Sequence, residues 1–307
     1  MHQSKHHRQS YAQVSSESRL IALTGLNQAS FTALCTAFAE HWQTYIKEYR
    51  LNGVKRQRRL SKKETDVLPR IEDKVFFLLK YLKTNPLQEA LAHDFAMSQP
   101  QANMWIHALL PVFRRTLTAM NLAPAREAVR DSLRSWKSMS IFLLTVVSDQ
   151  QTVLPMMRSK KPRTVEKKTH TAKNVILCAP NKRILFASIT AEGSAHDKAI
   201  IDDAALDLSA KVVILADSGF QGFSAGKATV LLPYKKPRGK DHPAHHRQWN
   251  RSLARWRVTV EHALANVKTF RIVKETVRLK TAECRDAVFE LACGLANLRL
   301  QFPITKL

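Results

Sequence analysis

Two continuous apolar runs that each stop at an aspartate constrain this chain more than any other feature: Ile141-Phe-Leu-Leu-Thr-Val-Val147-Ser-Asp149 and Val212-Val-Ile-Leu-Ala-Asp217-Ser-Gly-Phe-Gln-Gly222. Runs without polar alternation read as strands buried on both faces, and an acid followed by glycines places a carboxylate at the exposed carboxyl end of such a strand. Ligand chemistry gathers at that edge. A basic, helical segment, Arg257-Val-Thr-Val-Glu261-His, supplies a third carboxylate. Asp149, Asp217 and Glu261 together are hard oxygen donors, suited to Mg²⁺ or Mn²⁺ rather than zinc, and they point to phosphodiester chemistry at two metal ions.

The charge narrows the partner. With 49 Lys+Arg against 25 Asp+Glu, the 307-residue chain carries a net +24 and a pI of about 10.2, which favours a polyanion, while 45% hydrophobic content suffices for a sizeable core in two domains. No apolar run approaches the ~20 residues that span a bilayer, and no apolar signal-peptide core follows the polar start Met1-His-Gln-Ser-Lys-His-His-Arg8. The expectation is a cytoplasmic, nucleoid-associated protein that faces nucleic acid and no membrane. Cys35, Cys178, Cys284 and Cys293 lack the paired spacing of a zinc site and are expected as structural thiols. His242, His245 and His246 cluster near Pro243 without partner ligands at helical spacing, which favours a solvated loop.

Three stretches follow one another along the chain: a polar leader over residues 1–22, a helical domain over 23–123, and a mixed domain over 124–307. From Asn27 the spacing predicts a capped helix that ends near Asn52-Gly53. Val54 to Lys63 then holds six basic residues and no acid; it reads either as a solvated linker or as a phosphate contact through Lys55, Arg56, Arg58 and Arg59. An apolar helix over Ile71–Leu82, a short one from Leu87, a turn through Phe95 and a helix capped by Ser98, with Pro100 in its first turn, together resemble a helix-turn-helix. Its second helix would present Gln99, Gln101, Asn103 and His107 to a major groove of duplex DNA.

Beyond Pro124, strands are predicted over 142–148, 174–179, 183–189, 211–216 and 228–232, and helices over 196–206, 248–269 and 282–302. That pattern describes an α/β sheet. Two basic tracts flank the carboxylates: Arg158 to Lys173, with Lys160, Lys161, Lys167, Lys168 and Lys173, and Lys235 to Arg257, with Lys235, Lys236, Arg238, Lys240, Arg251 and Arg257. They read as a groove that contacts the DNA backbone. Trp249 and Trp256, seven apart on one helix face, are expected in the core.

Eight ordered pieces of this half match a known pattern. Asp149 ends the first strand; Lys167-Lys-Thr-His170-Thr171-Ala-Lys173 leads into the second; Gly193-Ser-Ala-His196-Asp197 forms a turn; Leu215-Ala-Asp217-Ser-Gly-Phe-Gln-Gly222 carries the second aspartate. Pro233-Tyr-Lys-Lys-Pro-Arg-Gly239 and Asn250-Arg-Ser-Leu precede Arg257-Val-Thr-Val-Glu261, and Lys268-Thr-Phe-Arg271 follows it. In these pieces the chain resembles the DDE transposases of insertion sequences, in particular the insertion-sequence-five type. The resemblance implies a ribonuclease-H-like mixed sheet flanked by helices behind an all-α helix-turn-helix domain. It also implies Asp149 as the ligand bridging two Mg²⁺ or Mn²⁺ ions, with Asp217 and Glu261 completing the shell. The activity implied is binding of terminal inverted repeats, hydrolysis that exposes a 3′-hydroxyl, and its transfer to target DNA by a homo-oligomer on paired ends. Where relatives carry Asp-Gly-Thr-Glu this chain has Asp149-Gln150-Gln151-Thr152; the alternative is a catalytically decayed DDE protein that acts as a sequence-specific DNA-binding protein.

Overall fold

The computed structural model describes residues 8–58, 67–126, 141–153, 170–236, 239, 241–276, 278–279 and 281–304, with residues 141, 147–153 and 170 described by their backbone. The chain forms two compact units: Met1–Ala123 with Thr269–Ile272 and Gln301–Leu307, and Pro124–Lys268 with Val273–Leu300.

The first unit is helical: α1 Glu17–Thr24, α2 Gln28–Glu48, α3 Ile71–Thr84, α4 Gln88–Asp94 and α5 Gln99–Ala119. Helix already begins at Glu17, within the polar leader. Asn27 caps α2 by accepting from Ser30 N at 3.0 Å, and Phe31, Leu34, Cys35, Phe38, Trp42 and Tyr45 make its buried stripe at three- and four-residue spacing. The helix stops at Glu48, short of the predicted Asn52-Gly53, because Asn-Gly is a hairpin signal and the chain turns back there: Tyr49 pairs with Lys55. Every α3 residue from Asp73 to Leu82 is buried. Its Lys74 lies over the rings of Trp42 and Trp105, 5.3 and 5.4 Å from their centroids, so the buried cation faces aromatic π-surface. Between α4 and α5, Phe95 is buried, Ala96 takes a left-handed φ of 50°, and Ser98 and Gln101 form a reciprocal capping box at the start of α5.

The second unit is a mixed sheet: β1 Ile141–Val153, β2 His170–Cys178, β3 Ile184–Ala187, β4 Ala191–Glu192, β5 Val213–Ala216 and β6 Thr229–Leu231. The order is β3-β2-β1-β5-β6, with β4 beside β2. β1 runs antiparallel to β2 and parallel to β5, which is parallel to β6. This is the ribonuclease-H-like arrangement. Four helices accompany the sheet in the chain: α6 Asp197–Asp203, α7 Ala244–Val267, α8 Arg271–Lys274 and α9 Ala282–Gln301.

Alternation along β1 explains the unbroken apolar run. Phe142 and Leu144 pack on one face with Val175, Leu177, Ile201 and Ile214. Leu143 packs on the other with Cys178 and with Val260 and Ala263 of α7, so both faces are covered. α9 is buried from Val288 to Leu298 without a break. Its Asn297 pairs with the backbone of Ile184, accepting from N and donating to O at 2.8 Å each, which satisfies the start of β3. Among the described residues, no single helix is long and apolar enough to cross a membrane.

Candidate active site

The site grows from the register of β1 against β5. Leu144 pairs with Ala216, and the next residue of the second strand is Asp217, where the chain leaves the sheet into the turn Ser218–Phe220. Asp217 caps that turn, its Oδ1 accepting from Ser218 N at 2.7 Å. Its Oδ2 lies 3.7 Å from Arg257 Nη1, and Arg257 Nε lies 3.5 Å from Glu261 Oε1 one helical turn on. Val260 and Ala263, packed on the sheet, fix the rotation of α7 that puts Arg257 and Glu261 at this edge. Asp217, Arg257 and Glu261 therefore come together, with one guanidinium between two carboxylates that are 46% and 62% exposed. A cavity of about 130 Å³ beside them is lined by Leu144, Thr145, Asp217, Pro233, Asn250 and Arg257, among others.

Asp149 stands elsewhere in the backbone. By continuation of the ladder, Thr145 is level with Asp217, and Asp149 is four residues further along β1, about 13 Å at ~3.3 Å per residue. It pairs with Ala172 of β2, and the next pair is Val153 with His170, so β1 uses four residues where β2 uses two. This bulge carries β1 past Ser148, the predicted end of the strand.

Described residues of several matched pieces contact one another. Gly193 N donates to Thr171 O at 2.6 Å, and a Cβ on Gly193 would stand 1.8 Å from Thr171 Oγ1, so only glycine fits this approach. Lys173 Nζ donates to Ala195 O and Asp197 Oδ1, both at 3.1 Å. Asp197 Oδ2 in turn lies 3.0 Å from where a Cβ on Gly219 would be. Lys173, which reads in sequence as part of a DNA-contacting tract, thus spends its ammonium within the fold. Its partner at Asp197 has no signal in local spacing. His196 precedes α6 and makes no side-chain capping bond.

The second basic tract is partly built. The backbone of Tyr234 is held from both sides by Asn250, which accepts from its N at 2.9 Å and donates to its O at 3.0 Å, and Trp249 Nε1 donates to Leu232 O at 3.1 Å. Lys235, Lys236, Arg251 and Arg257 are exposed, with Lys236 Nζ 3.2 Å from Asp241 Oδ1. Trp249 is half-buried, but Trp256, expected in the core, is exposed, because its side of α7 is turned from the sheet. α7 starts at Ala244 rather than 248 and takes His245 and His246 into its first turn. His246 stacks on Tyr234 with centroids 3.7 Å apart, and desolvation there, with His245 and His242 beside it, holds its pKa below the ordinary value. Among the described residues, no group of three His, Cys, Asp or Glu side chains is placed to hold a metal ion; Asp149 is described by its backbone alone. Arg59, Lys160, Lys161, Lys167, Lys168, Arg238 and Lys240 lie outside the described residues.

On the first unit, Gln99 and His107 are exposed and Asn103 is half-buried. Gln99 Nε2 donates to Gln88 Oε1 at 2.8 Å, while Gln101 turns its Oε1 back to Ser98 N at 2.9 Å. Lys55 and Arg58 are exposed, and Arg56 Nε donates to Tyr49 O at 3.0 Å.

Comparison with known proteins accounts for both units. The family described as DDE superfamily endonuclease matches residues 163–297, and the helix-turn-helix of DDE superfamily endonuclease matches residues 67–119. A protein of Microchaete diplosiphon assigned as the probable transposase of insertion sequence element IS702 is 22% identical over 208 residues, 68% of this chain and 73% of the relative. One of Streptomyces albus G assigned to insertion sequence element IS112 is 24% identical over 231 residues, 74% of this chain and 78% of the relative. Among solved structures, a pre-cleavage Mos1 transpososome aligns at 9% identity over 73% of this chain and 86% of that one, with a TM-score of 0.21, a likeness too slight to carry weight. These matches specify a superfamily and not the insertion-sequence-five type. With a helix-turn-helix unit ahead of a mixed α/β sheet, and each matched in its own right, the chain is similar to the DDE superfamily endonucleases over both stretches.

Proposed function

We propose that this protein is a DNA transposase of the insertion-sequence-five type that binds its element's terminal inverted repeats, hydrolyses a phosphodiester to expose a 3′-hydroxyl, and transfers that hydroxyl to target DNA. The observation that carries the reading is the pair Asp217 and Glu261, each turned toward the same cation, Arg257, at the carboxyl end of β5. Exposed carboxylates gathered on one positive charge are the hard oxygen donors that Mg²⁺ or Mn²⁺ takes, and with Asp149 they would hold two ions. Such ions, when bound, activate the attacking oxygen and neutralise the departing one.

The chain's own residues do the rest. Ser218 N fixes one oxygen of Asp217 and leaves the other facing Arg257. Arg257 offsets the repulsion between two neighbouring carboxylates. Lys235, Lys236 and Arg251, which are exposed, would take phosphates, and Gln99 and His107, exposed on α5, would read base edges. Two element ends must be paired, which calls for a homo-oligomer on DNA, in the cytoplasm with the nucleoid.

One observation favours a second reading. The backbone of Asp149 lies four residues beyond the level of Asp217, which would fit a decayed DDE protein that keeps DNA binding alone. Labelled duplexes carrying the DNA that flanks the gene, incubated with Mg²⁺, Mn²⁺ or EDTA beside the Asp217→Asn variant, separate the two. Metal-dependent cuts at the repeat boundary that vanish in Asp217→Asn, with binding kept, support the transposase. Binding without a cut supports the decayed protein, and a chain that binds none of these duplexes overturns both.

A further inference from the structure

We infer that the hairpin Tyr49–Lys55 is a wing, a second DNA-contacting element whose Arg50 and Lys55 take phosphates and whose Asn52-Gly53 tip enters the minor groove beside the major groove that receives α5. This rests on the reading that the first unit binds duplex DNA.

The hairpin is built rather than incidental. Arg50 N donates to Val54 O and Gly53 N to Arg50 O, both at 2.9 Å, and Gly53 takes φ +78°, the three-residue loop of a tight turn plus a left-handed glycine. Asn52 Oδ1 accepts from Val54 N at 3.2 Å. At the base, Arg56 N donates to Glu48 O at 2.7 Å and Arg56 Nε to Tyr49 O at 3.0 Å, tying the hairpin to the end of α2. A Cβ on Gly53 would meet nothing within 4 Å, so the tip projects into open space.

Its position gives it a partner. Arg50, Leu51, Asn52 and Arg56 line an open cleft of about 450 Å³ together with Met104 of α5. Met104 belongs to the stripe Gln101, Met104, His107, Pro111 and Arg114 that runs along the outer side of that helix, so the hairpin stands beside the face that α5 offers to a groove. Residues 47–58 carry Lys47, Arg50, Lys55, Arg56 and Arg58 against Glu48 alone, a polyanion-facing balance. An element flanking a helix seated in the major groove meets the neighbouring phosphates and the adjacent minor groove, where basic and amide side chains are the usual readers.

The test uses the full chain and a labelled duplex carrying the element end. In Arg50→Gln/Lys55→Gln, the slope of log affinity against log salt falls by about 2, at ~0.9 for each phosphate that is no longer neutralised. Affinity near physiological salt drops about tenfold, protection of one minor-groove patch from hydroxyl radicals disappears, and the thermal midpoint is unchanged. Gln99→Ala/His107→Ala instead loses sequence preference and keeps its slope. Lys55→Gln alone, which leaves Arg50 on its phosphate, shows about half of the slope change. Unchanged slope and protections in both wing variants, with wild-type binding intact, overturn the wing. Failure of the wild-type chain to bind duplex overturns the underlying DNA reading instead.

Discussion

Arg257 of α7 reaches across to Asp217 at the end of β5, Nη1 to Oδ2 at 3.7 Å, while keeping its Nε 3.5 Å from Glu261. The guanidinium stands where both carboxylates would meet a divalent cation, so it competes with that cation. Exposed pairs of this kind contribute ~0.2–1 kcal/mol each, and Arg257→Gln is expected to tighten Mn²⁺ binding by about two- to fivefold. Electron paramagnetic resonance of free Mn²⁺ measures this. Weaker Mn²⁺ binding in the variant would mean that the arginine organises the carboxylates instead of competing for them.

Gly193 and Gly219 separate stability from chemistry. Gly193→Ala forces a methyl to 1.8 Å from Thr171 Oγ1 and 2.7 Å from Thr171 O, a backbone clash, and is expected to cost about 2–3 kcal/mol in urea unfolding. Gly219→Ala meets only Asp197, with Oδ2 nearest at 3.0 Å, which a side-chain shift relieves at about 1 kcal/mol or less. Its main effect is expected on strand cleavage, since the carboxylate of Asp197 that must shift lies against the turn that holds Asp217, with duplex affinity unchanged. Equal loss of stability in both variants would deny the distinction.

Much of the fold is legible in the sequence because burial on both faces writes itself as an unbroken apolar run, as in Phe142–Leu144 and Val213–Ala216. The cap at Ser98 is legible for a local reason too, since its partner Gln101 is three residues away. Non-local contacts leave no such trace. The pairing of Lys173 with Asp197 looks in sequence like one more cation in a basic tract, and the reach of Arg257 to Asp217 lies hidden behind its helical pair with Glu261. Asn52-Gly53 reads as the end of a helix, although the same dipeptide is a hairpin turn, and only the return of Lys55 to Tyr49 decides between them.

Ala96 offers a simple gain in stability. It occupies the turn before α5 with φ 50°, a region where a Cβ is strained. Ala96→Gly removes that strain against a smaller loss of chain entropy, and is expected to stabilise the first unit by ~0.5–1 kcal/mol. Thermal unfolding should show a midpoint a few degrees higher, with duplex binding unchanged. A lower midpoint would show that the methyl group packs usefully.

Burial pushes the Cys178 thiol up to about 12 from 9.0. A thiol whose folded pKa is raised adds stability that is fully present below pH 9 and is lost as pH rises toward 12, at ~1.4 kcal/mol per pH unit once the unfolded thiol ionises. Comparing wild type with Cys178→Ala at about pH 8 and about pH 10 isolates this part from other titrations. The stability difference between the two proteins should shrink by about 1 kcal/mol over that interval. A constant difference would show that the thiol is accessible to solvent.

The four-for-two bulge between Asp149 and Val153 also bears on parity. Strand residues alternate between the two sides of a sheet, so an odd change of length on one strand turns over everything beyond it. Here the excess is two, so the backbone pairs Asp149–Ala172 and Val153–His170 are separated by an even number of residues on both strands. The stretch where this chain departs from Asp-Gly-Thr-Glu is therefore one in which the ladder counts residues in pairs. A change of two residues there would keep the register parity beyond it, from the Val153–His170 pair onward, and a change of one would reverse it.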